Sequence, residues 1–155
     1  MTTWNDFARE APDLAAFVRG RFEGFRHHVL ATLRRDGSPR VSGTEVLFRD
    51  GHLVLGSMPG SRKALDLRRD NRYALHVNPG EPADGTMEGD AKVSGHAVEV
   101  TDDAERRRLL PEQPSGGSHL FRLLVEEVAV TTVEGDRLVI RLWRPGAGVR
   151  RFERT

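Results

Sequence analysis

Cysteine is absent from the 155 residues. That excludes a disulfide framework, a thiolate nucleophile and any cysteine-based metal site. Lysine is scarce: of 24 basic residues only Lys63 and Lys92 are lysine, and the rest are arginine. Charge of one sign is not in excess either, since 24 basic and 23 acidic residues leave a net of +1. A nucleic-acid partner, which calls for a basic surplus, is therefore not expected. No apolar run approaches the roughly 20 residues of a membrane helix, so no membrane partner is expected. The opening segment MTTWNDFAREAPDL has neither a basic start nor an apolar stretch. No secretory leader is expected there, and a cytoplasmic location follows as the expectation. The signatures H-E-x-x-H, G-x-S-x-G and G-x-x-x-x-G-K-[ST] do not occur. The six histidines show no ligand spacing, so no metal site is expected.

What remains is a chain with 37% hydrophobic residues, above the range of disordered sequences. Its length predicts a single domain over 1–155, able to bury roughly 70% of its unfolded surface. Residues 1–24 read as helical, with Trp4, Phe7, Ala8, Leu14, Phe17, Val18 and Phe22 at three- and four-residue spacing. Pro12 is placed to open a second helix. From His28 the period changes to that of strands, predicted near 28–34, 39–49 and 52–57. Asp36-Gly37 and Asp50-Gly51 mark hairpin turns between them. A short helix capped by Ser61 follows, with Ala64, Leu65 and Leu67 available to face inward. Strands are predicted at 72–77 and 90–100, then a helix from Thr101 or Asp102 to Leu110. Two long strands joined at Gly135-Asp136 come last. Residues 78–85 and 111–118 read as loops, and 145–155 as a loose basic tail. Successive hairpins predict a mainly β fold with flanking helices and antiparallel pairing, closed as a barrel.

One segment carries chemistry: Gly56-Ser57-Met58-Pro59-Gly60-Ser61-Arg62-Lys63-Ala64. Gly60 frees the backbone at a strand-to-helix turn, and Ser61 caps the helix. First-turn amides lack internal partners and point outward, and the helix dipole adds positive charge there. Two cations in that turn oppose the dipole unless an anion is bound. Together these features read as a phosphate site, in which arginine offers a fork and lysine a point charge. The plain alternative is two solvated basic side chains on a surface helix. Acidic pairs at 102–103 and 126–127 read as a helix start and a strand start rather than as acid–base machinery.

Three stretches, HVLATLRRDGSPRVSGTEV (28–46), LVLGSMPGSRKALDLRRDNRYALHV (53–77) and AKVSGHAVEV (91–100), resemble the pyridoxamine 5'-phosphate oxidase-like superfamily. Within it the chain is similar to the flavin/deazaflavin-dependent oxidoreductases. The resemblance implies a split β-barrel homodimer with flavin sites at the subunit interface, holding FMN or the deazaflavin coenzyme F-420. It implies phosphate contacts at Arg62 and Lys63, assisted by Ser61. It sets Arg40, Val41, Ser42 and Gly43 beside the ring, and Gly56, Ser57 and Met58 beside ring and phosphate. The vitamin B6 oxidases carry a glutamine contact where this chain has Asp90, and a C-terminal substrate segment that RPGAGVRRFERT does not match. The implied activity is therefore hydride transfer to or from a small organic substrate by another flavin-type oxidoreductase, with no catalytic acid or base legible. The alternatives are a non-catalytic flavin-binding, storage or sensor protein, a haem-handling relative, and a nucleic-acid module.

Overall fold

The computed structural model describes residues 2–80, 89–113 and 117–155. Thr3 and Asp6 open the first helix by a reciprocal cap. Thr3 Oγ1 accepts the Asp6 N–H at 3.1 Å, and the Asp6 carboxylate accepts the Thr3 N–H at 2.9 Å. Helix α1 then runs Trp4–Glu10. Pro12 starts α2 (Pro12–Glu23) at a position where its missing N–H costs nothing. The periodic apolar residues Trp4, Phe7, Leu14, Val18 and Phe22 are all buried. Phe7 sits between two indoles, with ring centroids 5.1 Å from Trp4 and 4.6 Å from Trp143, and so fastens the helices to the sheet.

Nine strands follow among the described residues: β1 (His28–Leu33), β2 (Pro39–Thr44), β3 (Val46–Arg49), β4 (His52–Ser57), β5 (Arg72–His76), β6 (Asp90–Glu99), β7 (His119–Glu134), β8 (Arg137–Arg144) and β9 (Gly148–Arg154). Helix α3 (Arg62–Arg69) lies between β4 and β5, and α4 (Asp103–Leu109), capped by Asp102, lies between β6 and β7. Each ladder is antiparallel. At the second Asp-Gly turn both residues take positive φ, 51° at Asp50 and 75° at Gly51, which suits the twist of a tight hairpin.

The expected split barrel is corrected by the ladder order. The strands run β2-β1-β5-β6-β7-β4-β3, with β8 added to β7 and β9 to β8. Closure would need β2 beside β3. Those two are consecutive along the chain, separated only by Glu45, so they continue one another instead of pairing. The fold is a mostly β, mixed sheet-and-helix structure whose sheet is not closed into a barrel. The same break divides the single strand expected at 39–49. The tail expected to be loose instead forms β9, paired with β8 from Arg144↔Gly148 to Leu138↔Arg154. Of the expected loops, 81–88 and 114–116 lie outside the described residues. No helix among the described residues is long and apolar enough to cross a membrane.

The longest ladder, β6 on β7, contains one irregularity. Ser94 faces Glu127 and Gly95 faces Val125, so Glu126 is the extra residue of a β-bulge. The bulge draws the backbones together: a Cβ at Gly95 would stand 2.0 Å from the Leu124 carbonyl oxygen. Gly95→Val is therefore expected to lower unfolding stability by about 2–4 kcal/mol, at or above the usual cost of overpacking. Urea denaturation measures this, and a change below about 0.5 kcal/mol would remove the close approach as the reason for glycine here.

Candidate functional site

Strand β4 leads into the segment singled out by sequence. Leu53, Val54, Leu55 and Ser57 are buried, while Gly56 faces out. Gly60 turns the chain with φ 69°, a value glycine adopts without strain. Ser61 then caps α3, its Oγ accepting the Ala64 N–H at 3.3 Å. The hydroxyls of Ser57 and Ser61 hydrogen-bond to each other, tying the strand end to the helix start.

A third group fixes this turn, one that sequence reading missed. The Gly60 N–H donates to His119 Nε2 at 3.0 Å. That nitrogen is therefore unprotonated, and Nδ1, 3.3 Å from Glu99 Oε1, carries the proton. Glu99 also accepts two bonds from Arg68 of α3, at 2.8 and 2.7 Å. The Arg68 guanidinium holds the Glu99 carboxyl below its ordinary range, and the His119 bond adds to this against the effect of burial. His119 faces Ser57 across the β4–β7 ladder. Nothing local in the sequence links it to Gly60; the pairing of two distant strands does.

The second missed residue is Asp66, whose side chain is 3% exposed. Its Oδ2 accepts from Arg40 Nε at 2.7 Å and from Thr32 Oγ1 at 2.8 Å, and its Oδ1 from Arg69 at 3.0 Å. Burial pushes this carboxyl up, but the three hydrogen bonds outweigh it and hold it below the ordinary value. Thr32 and Arg40 face each other across β1 and β2. Asp66 thus binds one helix to two strands. Ala64 and Leu67 of the same helix are buried as expected, whereas Leu65, which points to a different side of the helix, is 38% exposed.

The sequence-selected residues divide into two groups. Lys63 points to the open edge of β2, where its Nζ donates to the Gly43 carbonyl at 2.8 Å. Burial draws its ammonium below the ordinary lysine range, opposed by Glu45. Arg62, one residue earlier, points elsewhere. With Arg40 it lines a cleft of about 740 Å³ between α3 and the β1–β2 hairpin. Among the described residues Arg62 has no carboxylate partner. Ser42 is half-buried and Gly43 exposed. Val41 and Met58, 71% and 78% exposed, are the two most exposed large apolar side chains described. The structure therefore brings Arg40 together with Arg62, Lys63 with Gly43, and Ser57 with Ser61. It does not bring Arg62 and Lys63 onto one point.

The family model described as Pyridoxamine 5'-phosphate oxidase matches residues 14–132, most of the chain. The protein belongs to that family. No curated protein matches the sequence. Solved structures similar in fold include a conserved hypothetical protein from Mycobacterium tuberculosis, 21% identical over 81% of this chain and 92% of that one, with TM-score 0.62. A heme binding protein from Mycobacterium smegmatis is 20% identical over 83% of this chain and 57% of that one, with TM-score 0.60. A heme storage protein from Vibrio cholerae is 18% identical over 78% of this chain and 94% of that one, with TM-score 0.56.

Asp66→Asn keeps the shape and removes the charge that three donors share. It is expected to cost about 2–4 kcal/mol at pH 7, as for a broken buried ion pair. The folded-state pKa lies below the ordinary 3.8. The carboxylate's contribution is thus complete above that value and is lost as pH falls below it. Unfolding curves at pH 7 and pH 3 should show the gap between wild type and variant shrinking at the lower pH. An equal gap at both would refute the ion-pair role.

Proposed function

We propose that this chain binds a phosphate-bearing heterocyclic cofactor of the flavin type, FMN or the deazaflavin coenzyme F-420, as a flavin-binding, storage or sensor protein. The observation that carries the reading is Arg62. It is a cation without a carboxylate partner among the described residues, set at the positive end of α3 beside the Ser61 cap. Such a placement is unfavourable unless an anion completes it. Arg40, already oriented by Asp66, reaches the same cleft. Lys63, Gly43, Ser42 and Val41 would border the cofactor on the β2 side, and Gly56, Ser57 and Met58 on the β4 side. A bound flavin supplies redox chemistry, while the chain supplies anchoring and electrostatics.

A second copy of the chain is the natural cover for the outer side of the sheet. There Val41, Ala31, Ala74 and Ser94 form one cross-strand row over β2, β1, β5 and β6. A homodimer formed over this face, with the cofactor held at its β2 edge, is part of the proposal. The name of the matched family favours a second reading, in which the same site serves hydride transfer with a small organic substrate. The names of two similar structures favour a third, a haem ligand.

The test titrates the purified protein with FMN, coenzyme F-420 and hemin, for wild type and for Arg62→Ala/Lys63→Ala. Loss of charge-assisted phosphate contacts should weaken flavin binding by about 3 kcal/mol, over a hundredfold. Unchanged affinity in the double variant overturns the site. A Soret band with no flavin affinity replaces the flavin reading with the haem one. Light scattering at micromolar concentration should give twice the 17.3 kDa chain mass; a monomer removes the interface site.

A further inference from the structure

The turn that leads into α3 is fastened by three hydrogen bonds, and one of them runs through a titratable side chain. The Ser61 N–H donates to the Met58 carbonyl at 3.1 Å. The hydroxyls of Ser57 and Ser61 bond to each other. The Gly60 N–H donates to His119 Nε2 at 3.0 Å. Amide and hydroxyl groups do not ionise between about pH 5 and 8, whereas imidazole does. The third bond is therefore the one that acid can break. The chain just before His119 also lies against this turn, since a Cβ at Gly117 would stand 3.4 Å from Pro59 Cγ.

The surroundings of this buried ring decide what protonation does. From β4, Ser57 faces it across the ladder and brings no charge. From β6 comes Glu99, with Oε1 3.3 Å from Nδ1. From α3 comes Arg68, paired with Glu99. From α4 comes Arg106, which donates to the carbonyls of Val100 and Ser118 and to the Ser118 hydroxyl. On β7 itself the Phe121 ring lies beside the imidazole, with centroids 6.5 Å apart. The neutral ring satisfies both its polar neighbours, accepting from Gly60 and donating to Glu99. A proton on Nε2 turns both nitrogens into donors. The Gly60 N–H then faces an N–H and loses its acceptor. The bond to Glu99 meanwhile becomes charge-assisted, which gives the imidazolium a counter-charge without moving it. The ring is enclosed and the turn is not: a Cβ on Gly60 would meet nothing within 4 Å. The turn is the side that yields.

We infer that His119 is a positioning residue for the anion site at the start of α3 and acts on it as a proton-operated latch. The neutral ring holds the turn so that Ser61 and Arg62 keep their binding geometry, and the imidazolium releases it. An anion is held at neutral pH and let go in acid. The inference rests on the reading that a cofactor phosphate sits at this turn, and it adds a residue from a distant strand that controls its retention.

The test has two readouts on the full chain, taken from about pH 8 to about pH 5.5. The first needs no ligand: proton–nitrogen NMR follows the Gly60 amide and the His119 ring together. The Gly60 resonance is expected to move with the titration of His119 in wild type and to stay still in His119→Gln, whose amide oxygen accepts a hydrogen bond but cannot charge. The second is the affinity for inorganic phosphate. At the higher pH, His119→Phe, which has no acceptor, should bind about tenfold more weakly than wild type, and His119→Gln should recover most of that loss. Phosphate has its own ionisation in this range, so His119→Gln serves as the reference for acid. Wild-type affinity should fall about tenfold further than that of His119→Gln over the range. Parallel profiles for the two proteins, or a Gly60 amide that ignores the His119 titration, overturn the inference and leave the cofactor reading intact. A Gly60 amide that follows His119 in a chain that binds no phosphate at any pH sinks the cofactor reading instead.

Discussion

The carboxylate of Asp66 is the constraint on which the site depends. It is nearly removed from water, so it survives as a charge only because three donors surround it. Those donors come from β1, β2 and α3 itself. The bond from Arg40 does two things at once. It compensates the buried charge, and it sets the arginine's position at the cleft wall. An uncompensated carboxylate in this place would cost several kcal/mol, so the helix cannot leave the strands without exposing it. The other end of α3 is held by different means, through the serine pair and the His119–Gly60 bond. The helix is thus clamped at both its start and its middle, which is what a binding turn needs for a fixed geometry.

Successive residues on a helix point about 100° apart, and this decides how Arg62 and Lys63 divide their work. Lys63 closes against the open edge of β2 and satisfies a strand carbonyl. Arg62 faces the opposite wall of arginines. The two cations that look like one motif in the sequence are a fastening and a charge without a carboxylate partner among the described residues. The open edge of β2 exists because β2 runs directly into β3 through Glu45, so the lysine fills a gap left by the topology.

Much of the fold was legible from local patterns. The capping residues Ser61 and Asp102, the proline at the start of α2 and the Asp-Gly turns each act within a few residues, so they read directly from spacing. The alternation of Ala91, Val93, Gly95 and Ala97 likewise matched the buried side of β6. What sequence reading missed depends on distant pairing. Glu45 carries no turn signature, and only the ladder order shows that the strand breaks there. The C-terminal tail looked loose because its arginines mask a strand whose partner, β8, lies across the Gly146 turn. Of the candidate site, the serine, arginine and lysine positions came from one short segment. Asp66 lies two residues beyond that segment, and its partners Thr32 and Arg40 are on distant strands. His119 lies 59 residues from the glycine it holds. Both needed the fold to reveal what they touch.

The aromatic clamp at the helices has an optical consequence. The chain has two tryptophans, Trp4 and Trp143, both buried and both against the Phe7 ring. They belong to different ends of the sequence yet share one apolar environment. Intrinsic emission from this protein therefore arises from a single locus, the seam between the first helix and the sheet. A red shift records the opening of that seam.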